Sequence, residues 1–65
     1  MTIEKACEIT GIRMNELPRI NSVVLKEIIE QEKNNRESDY LLKPYTKHQY
    51  VDAYETLLTK TKEDK

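Results

Sequence analysis

Apolar positions along this chain recur mostly at spacings of three and four, with polar or proline-containing breaks between the runs, a pattern that belongs to helices. The first element predicted is a helix over 3–10. Thr2 is placed to cap its start, and Gly11, the only glycine, stands where a left-handed C-terminal residue belongs. With Gly11 in that role, Cys7 and Ile12 become the pair that makes the apolar contact of a Schellman ending, so Cys7 is expected to point inward. A second stripe, Leu17, Ile20, Val24 and Ile28, widened by Leu25 and Ile29, predicts a helix over 15–35 with Asn15 as its cap. Pro18 offers an alternative. It disfavours helical geometry at Leu17, and the helix then starts after a short turn, capped by Asn21 or Ser22. The continuous stripe favours the longer helix, and Glu32 and Arg36 are spaced to support its last turn.

A polar break at 35–39 leads to Tyr40, Leu41 and Leu42, which are expected to run as an extended strap over 40–45. A strand is not expected, because a single short apolar run has no second strand to pair with. The final helix has the clearest start. Thr46 and Gln49 form a T-x-x-Q capping box, and Tyr45 and Tyr50 occupy the flanking positions of a hydrophobic staple. It is expected over 46–60, with Tyr50, Ala53 or Tyr54, Leu57 and Leu58 on its inner face and a polar tail, 60–65, that frays. The fold class is therefore all-α: one small three-helix domain over 1–65, with a short strap before the last helix.

Size limits what this fold can bury. At 65 residues only ~60% of the unfolded chain's surface can be removed from water, and domains this small usually rely on cross-links, metals, regular helix packing or a partner. One cysteine, Cys7, and one histidine, His48, supply neither an internal disulfide nor a four-ligand zinc site. Regular packing, a second copy of the chain or another protein remain. A helical dimer burying Ile28, Ile29 or the tyrosines stands beside the monomer as an expectation.

Charged residues make up 35% of the chain yet nearly cancel, at a formal net charge of −1. Residues 1–36 hold six acids and six bases, and residues 37–65 hold six acids and five bases, so neither end is a polycation. This balance counts against strong unaided binding to nucleic acid, whose affinity comes largely from phosphate contacts. No apolar run is long enough for a membrane span, and no signal-like stretch precedes Cys7, which points to the cytoplasm. Nor is there a catalytic set. A nucleophile, a base and an orienting group are not brought together by spacing, His48 reads as a solvated first-turn residue, and a glycine-rich phosphate loop cannot be built from one glycine. A non-enzymatic protein without cofactor or metal is expected.

Two binding readings follow. Residues 2–20, TIEKACEITGIRMNELPRI, resemble the opening of helix-turn-helix regulators of the MerR and excisionase type, with Ile3, Cys7, Gly11, Ile12, Leu17 and Ile20 at that motif's apolar and glycine positions. The resemblance spans under a third of the chain and implies DNA contacts from Arg13, Asn15 and Arg19. Pro18 and Glu16 depart from it, because a carboxylate on a reading helix repels phosphate.

The other reading starts from the tyrosines. All four (Tyr40, Tyr45, Tyr50 and Tyr54) fall within fifteen positions, beside Leu41, Leu42 and Leu57. They either cover a thin core or form a patch for a larger protein, since tyrosine is enriched at binding hot spots. The acids Glu27, Glu30, Glu37 and Asp39 read as a solvated face, interleaved with Lys26 and Lys33. A tiny chain rich in lysine, asparagine, glutamate and isoleucine is similar in composition to phage and mobile-element accessory proteins, including inhibitors of host machinery. The favoured expectation is a cytoplasmic protein-binding modulator or inhibitor, with DNA binding as the alternative.

Overall fold

The computed structural model describes residues 1–63 in backbone and residues 1–61 in side-chain surroundings. Three α-helices make up the fold: α1 (Ile3–Thr10), α2 (Ser22–Asn34) and α3 (Lys47–Glu63), with single 3₁₀ turns at Leu17–Arg19 and Glu37–Tyr40. There is no strand among the described residues, and the all-α class expected from the pattern stands.

Helix α1 starts and ends on the predicted residues. Thr2 Oγ1 accepts from the backbone N–H of Lys5 at 3.1 Å, and Gly11 closes the helix at φ 78°, its N–H donating to the Cys7 carbonyl at 2.9 Å. The ending is the single-bond αL form and not the Schellman form, because the Ile12 N–H donates to Thr10 Oγ1 at 3.4 Å and not back to the helix. Cys7 is buried as expected, and burial pushes its thiol pKa up, away from the reactive thiolate.

The helix expected over 15–35 is shorter than predicted. Glu16, Leu17, Arg19 and Ile20 all donate three residues back, to Arg13, Met14, Glu16 and Leu17, which winds this stretch as tight turns. The cause is Pro18. Its nitrogen carries no hydrogen to continue an α-helical ladder, so the Met14 carbonyl is taken by Leu17 instead, at 3.3 Å. Ile20 and Asn21 then extend, and Asn21 caps α2 by accepting from the Val23 N–H at 2.8 Å.

This later start changes which face turns inward. Leu17 and Ile20 are no longer in phase with α2, so Leu25 and Ile29 are buried while Val23 and Val24 stand in solvent and Ile28 is half-buried. The other end differs as well. Glu32 does not pair with Arg36 but turns to Tyr40, and the helix stops at Asn34.

Both devices expected to start α3 are formed. Thr46 Oγ1 accepts from the Gln49 N–H at 3.2 Å, Gln49 Oε1 accepts from the Thr46 N–H at 2.9 Å, and the Tyr45 and Tyr50 rings meet edge to face at 6.0 Å. The helix runs to Glu63, past the end expected at 60, and Thr61 Oγ1 donates to the Leu58 carbonyl at 2.8 Å; of the tail expected to fray, residues 64–65 lie outside the described residues. The strap over 40–45 is not extended. It follows a 3₁₀ turn and continues as turns and bends, with Leu41 in helical geometry.

Helix α3 is the axis of the molecule. Both α1 and α2 pack along it and hardly touch one another. Ala6, Cys7, Ile9, Leu17, Leu25, Ala53 and Leu57 form the main core cluster, with Ile29 and Tyr40 also buried, and among the described residues Leu25 and Leu57 are the large side chains buried completely. The result is an elongated body of 37 × 20 × 16 Å. None of its helices is long and apolar enough to cross a membrane among the described residues.

Candidate functional site

The segment between α2 and α3 brings together what the sequence placed side by side, but sorts it differently. Tyr40 is core, only 5% exposed. Its hydroxyl donates to Glu32 Oε1 at 2.7 Å and accepts from Asn35 Nδ2 at 3.1 Å, and Asn35 Nδ2 also reaches Glu32 Oε2 at 3.4 Å. Burial first, then the Glu32 carboxylate, push the Tyr40 pKa above its ordinary value, so the hydroxyl stays a donor. The turn that delivers Tyr40 is tied at its start as well, where Asp39 Oδ2 accepts from the Arg36 N–H at 3.1 Å.

From Tyr40 the rings continue as a chain across the molecule. Tyr40 and Tyr50 lie 5.5 Å apart, and Tyr50 meets Tyr45, whose hydroxyl reaches Glu8 Oε1 of α1 at 3.4 Å. Lys43 lies over both the Tyr40 and Tyr50 rings, at 4.8 and 5.4 Å from their centroids, and Lys5 lies over Tyr45 at 5.4 Å. Lys47 Nζ donates to the Lys33 carbonyl at 2.8 Å, placing a cation at the negative end of α2. The 36–46 segment is thus tied to the end of α2 through Tyr40, to α1 through Tyr45, and to itself through Asp39.

What this framework holds out is the pair at its apex. Leu41 is 81% exposed and Leu42 is completely exposed. Beside them opens a cleft of about 300 Å³ lined by Glu37, Tyr40, Leu41, Thr46, Lys47 and His48. Of the seven residues expected to contact a protein, Leu41 and Leu42 are therefore free to do so. Tyr45, Tyr50 and Tyr54 are partly buried against the core. Tyr40 and Leu57 are corrected to core positions, because Tyr40 is held by Glu32 and Asn35 while Leu57 is completely buried on the face of α3 that packs inward.

Sequence reasoning missed Glu32, Asn35 and Lys43 as the residues that set the tip. Their signal was present in part, since a tyrosine five positions beyond Asn35 sits across a polar break where a side chain can fold back on the end of a helix. Arg13, Asn15 and Arg19, the residues for DNA, are all exposed, but on the turns between α1 and α2 and not on a helix. No group of three or more histidine, cysteine, aspartate or glutamate side chains is arranged to hold a metal among the described residues.

Fold and site together define a three-helix domain that presents an anchored dileucine tip. Compared with known proteins, the chain matches no family model, no curated protein and no solved structure.

Proposed function

We propose that the protein is a non-enzymatic modulator that docks on a larger protein through the Leu41–Leu42 tip and the cleft beside it. The observation that carries this reading is the contrast between leucines. The chain buries Leu25 and Leu57 completely and leaves Leu41 and Leu42 outside, on a segment pinned by Tyr40, Asp39 and the Thr46 capping box. Burying a leucine side chain contributes about 1.5–3 kcal/mol, a gain the free protein forgoes twice at one place. A pinned tip loses little further freedom on binding, so more of that gain appears as affinity. The compositional likeness to phage and mobile-element accessory proteins supports an inhibitor of a host protein as the biological role.

DNA recognition has less behind it. A helix-turn-helix joins its helices by a turn of three to four residues and reads bases from the second helix, whereas residues 11–21 separate α1 from α2 here and hold Arg13, Asn15 and Arg19 on turns. A second copy of the chain has the apolar strip of Val23, Val24 and Ile28 to cover.

The test is affinity capture from host lysate, with and without nuclease, using the wild type beside Leu42→Asp. A stoichiometric protein that survives nuclease and is lost with Leu42→Asp is the expected result. Equal capture by both baits removes the tip from the site, and recovery of DNA alone shifts the reading to Arg13, Asn15 and Arg19.

A further inference from the structure

We infer that the segment received by the tip is acidic: a peptide stretch of the partner with one or two aliphatic or aromatic side chains for the leucines, flanked by aspartate or glutamate. This rests on the proposed docking through Leu41 and Leu42 and names the chemistry of what docks. The apolar half follows from the leucines and the adjoining cleft.

The charged half follows from how charge is distributed. All twelve acids of the chain lie outside 40–51, a stretch that carries Lys43, Lys47 and His48, although the whole chain has a net charge of −1. Lys43 is the cation best placed to act. Its ammonium rests over the faces of Tyr40 and Tyr50, next to Leu42 in sequence, and it makes no ion pair with a carboxylate among the described residues. Ring faces hold a cation in position without neutralising it, so an incoming carboxylate meets a charge already oriented. His48 adds an exposed ring on the cleft wall.

Lys47 contributes less, because its ammonium already serves the Lys33 carbonyl. The acids nearest the tip in sequence are Glu37, Asp39 and Asp52, and Glu32, which reaches it from α2, is engaged by the Tyr40 hydroxyl and Asn35. The Asp39 carboxylate is turned back onto the Arg36 N–H, which leaves Glu37, on the cleft wall, as the charge that opposes an acidic ligand there.

Selection from a displayed library of random peptides tests this, with wild-type protein as bait and Leu42→Asp as the counter-bait. Enriched sequences should carry aspartate or glutamate beside an aliphatic or aromatic residue. Binding of a selected peptide, measured in solution, should weaken with added salt. It should fall about three- to fivefold in Lys43→Met, which keeps the side chain's length over the rings and removes its charge, and rise in Glu37→Gln. Circular dichroism on each variant separates loss of binding from loss of fold. Peptides that need Leu42 but lack acids, or whose binding ignores salt and Lys43→Met, overturn the acidic partner and leave the tip reading standing. Peptides that bind Leu42→Asp as well as wild type overturn both.

Discussion

Replacing Tyr40 by phenylalanine removes one oxygen and tests whether the tip is anchored as described. The ring stays apolar and fills the same space, so no cavity term enters. What is lost is a hydroxyl that donates to a carboxylate at 2.7 Å and accepts from Asn35 at 3.1 Å. A hydrogen bond to a charged partner contributes about 1.5–3 kcal/mol. Glu32 is only half-buried and recovers some hydration, and Asn35 keeps its 3.4 Å contact to the same carboxylate, so the low end applies, about 1.5 kcal/mol. In a domain of this size a core supplies little more than about 3–5 kcal/mol in total, so the loss is a large share. Urea unfolding followed by circular dichroism reads it directly. With a slope of about 1 kcal/mol per molar, the midpoint should fall by about 1.5 M. Limited proteolysis should also cut the 36–46 segment faster in Tyr40→Phe than in wild type. A midpoint within about 0.3 M of wild type, with unchanged cleavage, would refute the anchor and with it the idea of a preorganised tip.

The two classes of leucine should separate cleanly: Leu57→Ala should lose about 2–5 kcal/mol and leave little folded protein, whereas Leu42→Ala should stay within about 0.5 kcal/mol of wild type by thermal melting. Thr46→Ala removes the hydroxyl that accepts from the Gln49 N–H and should destabilise by about 1 kcal/mol, measured by the same unfolding curves. Alkaline pH supplies a further check. The Tyr40 and Tyr54 pKa values are raised in the folded state, chiefly by burial, so the folded protein holds its protons longer than the unfolded chain does. Stability is therefore full below the unfolded tyrosine pKa of about 10 and falls as pH rises beyond it. Tyr40→Phe should make that fall shallower in pH-dependent urea titrations.

Local chemistry accounts for what could be read without the structure. Thr2 and Gly11 bound α1, and Thr46, Gln49, Tyr45 and Tyr50 start α3, because each device acts between residues at most five apart and needs no distant partner. The class, three helices and no strand among the described residues, follows from the same short-range spacing. At α2 the local signal was present as well, since Pro18 cannot continue the helical ladder and Asn21 caps the later start, but the apolar stripe ran through both possible starts and masked it; the later start turned Leu25 and Ile29 inward and left Val23 and Val24 outside. Tertiary packing decided the cluster around Tyr40. Three consecutive apolar residues look alike as a string, yet Tyr40 is claimed by Glu32 and Asn35 from the end of α2, and Leu41 and Leu42, with no such partners, are carried out into solvent. Which apolar residue is core and which is surface depends on groups brought near by the fold, and hydrophobicity along the chain does not encode that proximity.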